Sequence, residues 1–445
     1  MTSSTVTVIG CGLAGSEAAW QLAEHGIHVR LIDMKPHERT PAQKSDGPAE
    51  LVCSNSLRSN NPNNAVGLLK EEMRKLHSLI IQAAEACKVP AGDALAVDRV
   101  QFSEYIEAKL RNHPNIHWIN ERIDSIPDPM HGPVIIATGP LTADNLAEDL
   151  RRVTGSDSLY FHDALAPIVA GDSLDRSIIF AASRYGKGDG DDYLNVPIDQ
   201  ATYDAFVQGL IDADPLPEHG FENIPYFQGC MPLEAVAKQG PLSLRYGCMK
   251  PVGLDDPRTG RYPYAVLQLR KEDIGGQSYN LVGCQTKLRY GDQTRLFRML
   301  PGFEKVEFLR LGTMHRNTYV NAPVVLGDRM QLHQAPHARL AGQITGVEGY
   351  VESAAHGLLT ALFLASDLQD KPIMPPPLTC ALGALYGHVR GSMKLSGRPH
   401  EPQNVHFGLF ASIHERVPKK QMKEKRVEIA RSDFDTWQMS ALGKK

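Results

Sequence analysis

The chain of 445 residues lacks the features that mark membrane, disulfide-rich and strongly basic proteins. No apolar run approaches the ~20 residues that a membrane-spanning helix needs. The seven cysteines include no Cys-x-x-Cys pair, which argues against a disulfide framework and fits a reducing, cytoplasmic compartment. We expect no signal peptide, because strand-forming residues begin at Val6. The net charge of −4 gives no global basic signature, so any contact with nucleic acid must come from a local patch.

A glycine-rich loop near the start of the chain is the most informative feature that is present. The β-branched run 6–9 leads directly into Gly10-Cys11-Gly12-Leu13-Ala14-Gly15, a helix is predicted over 16–25, and a second apolar run ends on Asp33. In such a βαβ unit the first glycine allows the tight turn, the second admits a pyrophosphate, and the third lets the helix pack on the strand. The acid is placed to accept hydrogen bonds from a ribose diol. The pattern predicts a site for FAD or NAD(P).

Two later segments favour FAD over NAD alone. Residues 133–139 predict a buried strand that ends at Thr138-Gly139, which is typical of a second approach to a bound dinucleotide. The glycine-rich stretch 340–349, with Gly342 and Gln343, precedes a predicted helix over 350–365. Its N–H groups can complete a flavin site, and the FAD-binding domain is therefore predicted to be discontinuous.

The predicted secondary structure changes in the middle of the chain. A helix is predicted over 65–87 from apolar spacing of three and four, and Asp98-Arg99-Val100-Gln101 predicts a capping box. From residue 158 turns are dense and strands are short. The predicted fold class is α/β, with a Rossmann-like FAD-binding domain (1–157 and 305–445) and an inserted, smaller α+β domain (158–304).

Two of the seven cysteines, Cys230 and Cys53, have neighbours in sequence that favour a reactive or exposed thiol. Cys230 precedes Pro232 and Glu234, residues that favour a helix start, and a helix N-terminus stabilises a thiolate. The alternative for Cys230 is a small buried hydrophobic side chain. Cys53 lies among polar neighbours, which favours exposure. The other five cysteines are interpreted as structural.

Three polar segments are weaker candidates. His315-Arg316-Asn317 is interpreted either as a set of donors to a flavin or substrate or as a solvated loop. Arg184 and Lys187 lie in a short loop that is similar to anion-binding loops. The basic run 419–426 is either a solvated helix face or a phosphate contact.

Together these segments resemble the TrmFO family of folate- and FAD-dependent tRNA (uracil-5-)-methyltransferases over nearly the whole chain. The matching stretches are residues 8–19, 51–58, 182–185, 229–234, 249–254, 314–318 and 341–350. The flavoprotein that modifies wobble uridine shares the glycine loop, but this chain is less similar to it around Cys53 and Cys230. The departures from the family pattern are Asp33 for the commoner glutamate, Val196 for cysteine, Cys248 for proline and Cys284 for an aromatic residue.

The resemblance implies methylation of carbon 5 of the T-loop uridine of tRNA. Methylenetetrahydrofolate would be the one-carbon donor, FAD the cofactor and NAD(P)H the reductant, with Cys230 as the nucleophile and Cys53 as the second catalytic cysteine. No metal and no obligate protein partner are expected. The predicted cofactor-binding residues are Ile9, Gly10, Cys11, Gly12, Leu13, Ala14, Gly15, Asp33, Arg99, Thr138, Gly139, Gly342 and Gln343.

Two other classes of function compete with this assignment. A flavin disulfide reductase needs a close cysteine pair, which the sequence does not contain as Cys-x-x-Cys. A non-catalytic, flavin-containing tRNA-binding protein would keep the glycines but would need neither Cys53 nor Cys230. A related flavoprotein acting on wobble uridine or ribosomal RNA is the remaining alternative.

Overall fold

The computed structural model describes residues 5–40, 42–155, 159–214, 231–392, 400–413, 418 and 420–443. The strands are β1 (Val6–Ile9), β2 (Val29–Asp33), β3 (Ser56–Ser59), β4 (Lys88–Val89), β5 (Ala94–Val97), β6 (Ile116–Asn120), β7 (Val134–Ile136), β8 (Leu159–Ala164), β9 (Ile168–Ala170), β10 (Phe180–Ala181), β11 (Tyr193–Ile198), β12 (Ala265–Lys271), β13 (Ser278–Leu281), β14 (Phe308–Arg310), β15 (Met314–Tyr319) and β16 (Ala338–Leu340). The helices are α1 (Leu13–Glu24), α2 (Ala65–Lys75), α3 (Leu79–Ala86), α4 (Arg99–Arg111), α5 (Asp144–Thr154), α6 (Gln200–Asp212), α7 (Leu233–Ala237), α8 (Ser243–Tyr246), α9 (Tyr290–Phe297), α10 (Ala322–Val325), α11 (Tyr350–Leu368), α12 (Ala381–Val389) and α13 (Met422–Leu442).

A parallel sheet in the order β16-β7-β1-β2-β6 forms the centre of the nucleotide-binding domain. Strands β1 and β7 are buried along their whole length, as expected when helices cover both faces of a parallel sheet. In register, Val8 pairs with Leu31 on one side and with Ile135 on the other. The carboxyl ends of these strands therefore meet at one edge of the sheet. The α/β, Rossmann-like fold class is confirmed.

The middle of the chain forms a separate antiparallel sheet in the order β10-β11-β12-β13-β9-β14. It has its own hydrophobic core, in which the fully buried Tyr203, Phe206 and Phe303 pack with the sheet. Its strand β14 extends the hydrogen bonding past residue 304, where the sequence predicts that the insertion ends. The ribbon of β8 and β15 connects the two parts of the chain.

The predicted helix over 65–87 is wrong as a single element. The structure divides it into α2 and α3, because His77 adopts a left-handed conformation with φ of 56°. Ser78 then caps α3 by accepting a hydrogen bond from the N–H of Ile81. Buried Glu17 stabilises this break, since its carboxylate accepts hydrogen bonds from the Ser78 hydroxyl and the Ile80 N–H. Apolar periodicity alone did not reveal the interruption.

Half of the predicted capping box of α4 is observed. The carboxylate of Asp98 accepts hydrogen bonds from the N–H groups of Val100 and Gln101. The reciprocal bond is not formed, because the N–H of Asp98 donates to the carbonyl oxygen of Cys87 and not to the Gln101 side chain.

Among the helices of the described ranges, none combines the length and the apolar character that a membrane span requires.

Candidate functional site: a dinucleotide cleft and a clamped cysteine loop

A cleft opens at the carboxyl ends of β1, β2 and β7. It contains about 1100 Å³ of space, the open mouth included. Nine of the predicted cofactor-binding residues line it: Ile9, Gly10, Gly12, Leu13, Ala14, Asp33, Thr138, Gly139 and Gln343.

The three glycines of the first loop have three different surroundings. Gly10 has a φ of 96°, and a Cβ there would lie 2.7 Å from the carbonyl oxygen of Ala137. A Cβ on Gly15 would lie 1.8 Å from the carbonyl oxygen of Gly10, so only glycine allows this helix to pack so closely. A Cβ on Gly12 would meet nothing within 4 Å. Its Cβ direction is open because it borders the cleft.

The N-terminus of α1 borders the same space. The helix begins at Leu13, three residues earlier than predicted, with Gly12 as its N-cap. Its first N–H groups lack partners within the helix and carry the positive end of the helix dipole. This is the arrangement that binds the phosphates of dinucleotides.

Asp33 ends β2 at the cleft edge and is nearly buried. Its carboxylate accepts hydrogen bonds from the N–H of Cys11 at 2.6 Å and from the N–H of Lys35 at 2.9 Å. The acid therefore fixes the glycine loop to the second strand while it lines the cleft. Cys11 itself is buried, and burial raises the pKa of its thiol.

The late glycine segment reaches the cleft through α11. Gly342 has a φ of 80°, and a Cβ there would lie 2.6 Å from Cβ of Ala14 on α1. Its N–H donates to Nδ1 of buried His356 at 3.1 Å. Burial lowers the pKa of His356 to about 3, so the ring stays neutral and able to accept this bond. The late glycine-rich segment therefore lies beside the first glycine loop, as predicted, because α11 packs on α1.

Arg99 does not lie among the residues that line the cleft. Its guanidinium group donates to the carboxylate of Glu272 and to the carbonyl oxygen of Leu51. It therefore connects the inserted domain to the loop that carries Cys53. Its role as a cofactor-binding residue remains a prediction. Arg99 would have to act on the cofactor indirectly, through the position of this loop.

Tyr350 is a site residue that the sequence reasoning did not assign. It lines the cleft at the start of α11, and its hydroxyl accepts hydrogen bonds from the N–H groups of Cys53 at 2.7 Å and Ser54 at 3.2 Å. Burial raises the pKa of its phenol. The residue directly follows the glycine-rich stretch 340–349 and begins the helix predicted there, which was the available signal.

The loop that carries Cys53 is held from several sides. Arg310, on β14, donates to the carbonyl oxygens of Val52 at 2.9 Å and Cys53 at 3.1 Å. Asn55 is fully buried and accepts a hydrogen bond from Arg270 at 2.8 Å. Cys53 is half-buried. The inserted domain therefore positions this cysteine directly beside the cleft residue Tyr350.

We predict that Arg310→Met lowers the free energy of unfolding by about 2–4 kcal/mol, because buried carbonyl groups lose charged hydrogen-bond donors. Thermal unfolding of the flavin-loaded protein measures this loss. Arg39→Met is the matched control, since Arg39 forms an exposed ion pair with Asp46 worth at most about 1 kcal/mol. Equal stability of the two variants would contradict the clamp.

Cys230 lies outside the described residues. The short helix α7 begins at Leu233 with Pro232 as its N-cap, so the predicted helix start is observed one residue later. Glu234 is in the first turn but is buried, where its carboxylate accepts hydrogen bonds from the Thr286 hydroxyl and the Lys287 N–H. The role of Cys230 remains a prediction.

Two of the departures from the family pattern are neighbours in space. Cys284 is buried and its thiol donates to the carbonyl oxygen of Val282 at 3.7 Å, and the proximity of Cys284 lowers the pKa of the Cys248 thiol. The tertiary structure therefore contains a close cysteine pair that the spacing in sequence does not reveal. Neither cysteine lines the dinucleotide cleft. A flavin disulfide reductase would require its pair at that cleft.

The predicted phosphate contacts have partners within the protein. Lys187 pairs with Asp93, and Arg184 donates to the carbonyl oxygens of Val252 and Lys250. In the basic run, Lys423, Lys425 and Arg426 donate to Asn64, Glu428 and the carbonyl oxygen of Phe407, and Lys419 lies outside the described residues. His315 and Arg316 belong to β15. The contacts of all these residues with RNA or with a flavin remain predictions.

Fold and cleft define a dinucleotide-binding protein with an antiparallel domain inserted into a Rossmann-like domain. The sequence profile of the family "Glucose inhibited division protein A" (GIDA) matches residues 5–372. Two crystal forms of GidA from Aquifex aeolicus share the fold, each with a TM-score of 0.67 and 14% identity. Their alignments cover 97% of this chain and 74% or 76% of the GidA chain.

Relatives of much higher identity extend over the full chain. A protein of Anaeromyxobacter dehalogenans (strain 2CP-C), named methylenetetrahydrofolate--tRNA-(uracil-5-)-methyltransferase TrmFO, is 54% identical over 98% of this chain and 97% of its own length. A relative of the same name from Geobacter sulfurreducens is 51% identical over 98% of this chain and 99% of its own length. The chain belongs to the TrmFO family. The resemblance noted in the sequence is confirmed.

Proposed function

We propose that this protein methylates carbon 5 of the T-loop uridine of tRNA, with methylenetetrahydrofolate as the one-carbon donor and FAD as a bound cofactor. The observation that carries the proposal is identity of 50–54% to relatives named for this folate-dependent reaction, over almost the whole chain. The cleft and the clamped Cys53 loop give the chemistry a location. The free cysteines in the described ranges fit a cytoplasmic enzyme.

The cleft has the donors and the shape that FAD requires. The α1 N-terminus and Gly12 would face the pyrophosphate, Asp33 the ribose, and Gln343 with Tyr350 the distal part of the cofactor. When bound, FAD supplies the redox step that takes the one-carbon unit from the formaldehyde level to a methyl group. NAD(P)H is the proposed source of the two electrons.

The proposed role of Cys230 is nucleophilic. Its thiolate adds to carbon 6 of uracil, and the electron pair moves to carbon 5, which becomes able to form a bond to the methylene carbon of the folate. Loss of the proton from carbon 5 then provides the electron pair that expels tetrahydrofolate and leaves an exocyclic methylene on the ring. This methylene would become the methyl group on accepting the hydride that the bound, reduced flavin supplies, and the bond between carbon 6 and the Cys230 sulfur would break as the ring double bond re-forms.

Cys53 is proposed as the second catalytic cysteine, assisting near the cofactor or in the removal of the carbon 5 proton. The support is its position: its N–H donates to Tyr350, which lines the cleft, and its carbonyl oxygen accepts from Arg310. The target uridine would have to leave the loop stack to reach this place, at a cost of a few kcal/mol.

Incorporation of a methyl group into a tRNA transcript tests the proposal. We expect the purified protein to be yellow and to methylate the transcript with methylenetetrahydrofolate and NAD(P)H, and not with S-adenosylmethionine. Nuclease mapping should place the product at the T-loop uridine. A product at the wobble uridine or in ribosomal RNA would identify a related flavoprotein activity, and RNA binding without any product would identify a non-catalytic protein.

A further inference from the structure

The inserted domain carries an open groove between the end of α7 and α8, lined by Val236, Gln239, Leu242, Ser243 and Tyr246 among others. We refer to it as the Tyr246 groove. It contains about 830 Å³ of space, the open mouth included. None of its lining residues belongs to the dinucleotide cleft. It is therefore a second concave surface, of a size that admits nucleobases.

One exposed aromatic and one exposed apolar side chain line this groove. The side chain of Tyr246 is 70% exposed, and Leu242 is 37% exposed. A guanidinium group supports the tyrosine, since the Arg245 carbon Cζ lies 5.8 Å from the Tyr246 ring centre and 4.4 Å from that of Tyr264. A ring held in this way presents a free face to solvent.

Basic residues are frequent in the segment of the chain that forms the groove and follows it. Lys250 is exposed, and the 63% exposed ring of Tyr185 packs against Gly253 three residues further on. Residues 231–262 contain five lysines and arginines but three acids, in a chain whose net charge is −4. Of these acids, Glu234 is buried and Asp256 is paired with Arg258. The local charge is therefore opposite to that of the whole chain.

The groove lies beside the sequence position of the proposed nucleophile. The side-chain amide of Gln239, which lines the groove, contacts the sulfur of Met231 at 3.1 Å. Met231 follows Cys230 directly in the chain. A ligand in the groove would accordingly lie near the side chain of Met231.

We propose that the Tyr246 groove binds unstacked nucleotides that flank the target uridine, with a base stacked on Tyr246 and a phosphate beside Lys250. The proposal rests on the proposed function and specifies the surface that its RNA substrate uses. Aromatic faces interleaved with cations are the general means of binding single-stranded nucleic acid, because every base has a face that can stack. Local positive charge favours an anionic partner, and the exposed face of Tyr246, on which a base can stack, favours RNA over an acidic protein surface.

Equilibrium binding of a fluorescent T-arm transcript to the flavin-loaded protein tests the proposal. Tyr246→Ala should weaken binding roughly tenfold, whereas Tyr246→Phe should bind like the wild type because it keeps the stacking face. Lys250→Gln should reduce the slope of log affinity against log salt by about 0.7, since one fewer counterion is released from a single strand. Both effects should occur without a change in flavin absorbance.

Tyr290→Ala is the matched control, because Tyr290 is 54% exposed and lies on α9, outside the groove. If Tyr246→Ala binds like the wild type and Lys250→Gln keeps the salt slope of the wild type, the proposed role of the groove is overturned. Methylation by the wild type would in that case leave the proposed function intact. Weakened binding in Tyr290→Ala equal to that in Tyr246→Ala would also overturn it. A wild type that neither binds nor methylates the transcript would instead overturn the proposed function.

Discussion

Cys230→Ala is expected to fold, to remain yellow and to lose methylation by roughly 10³-fold or more, because removal of a covalent nucleophile removes the reaction path itself. The single-turnover rate of methyl transfer to a tRNA transcript measures this loss. Flavin absorbance of the variant shows in the same preparation that the cofactor site is intact.

Trapping of a covalent intermediate distinguishes a catalytic nucleophile from a structural cysteine. With 5-fluorouridine at the target position, the wild type should form a protein–RNA complex that survives denaturation, because fluorine at carbon 5 prevents the release of the thiol. Cys230→Ala should form none. The control is Cys87→Ala, since Cys87 is a buried residue at the end of α3. Methylation at a near-normal rate in Cys230→Ala would refute the assignment and leave Cys53 as the candidate.

Gly12→Glu is expected to yield colourless protein. A side chain at this position meets open space and the backbone φ of −73° suits any residue, so the substitution does not strain the fold. It places a negative charge where the pyrophosphate of FAD would lie, and like charges brought together at a binding site cost several kcal/mol, or about 10³-fold in affinity. The ratio of flavin absorbance to protein measures the loss.

Gly291→Glu is a closely matched control for that substitution. Gly291 lies in the first turn of α9, its added Cβ would also meet nothing within 4 Å, and it is far from the cleft-lining set. It should retain flavin at the wild-type ratio. A Gly12→Glu protein that is as yellow as Gly291→Glu would show that the cofactor does not bind along the first glycine loop.

The first glycine loop could be interpreted without the structure because its constraints are local. A strand, a tight turn and a helix N-terminus lie within twenty residues, and Gly15 packs on Gly10 of the same unit. The close contact of Gly10 with Ala137, which follows β7, is the part that the local pattern does not contain. The N-cap at Asp98 is equally local and is observed. The helix over 65–87 failed because its interruption depends on Glu17, which is distant in sequence and hydrogen-bonds to Ser78.

The sequence by itself determined the class of fold, the dinucleotide loop and the family, since these are carried by short motifs in a fixed order. Only the tertiary structure decided which groups surround Cys53, because Arg310 and Tyr350 approach it from segments about 260 and 300 residues away. It also brought Cys248 and Cys284 together and placed an exposed tyrosine, with Arg245 over its ring, at the Tyr246 groove. The contacts of Cys53 depend on how the inserted sheet packs on the Rossmann-like domain, whereas the cysteine pair and the groove depend on packing within the inserted domain. Long-range packing of either kind leaves no periodic signal in the sequence.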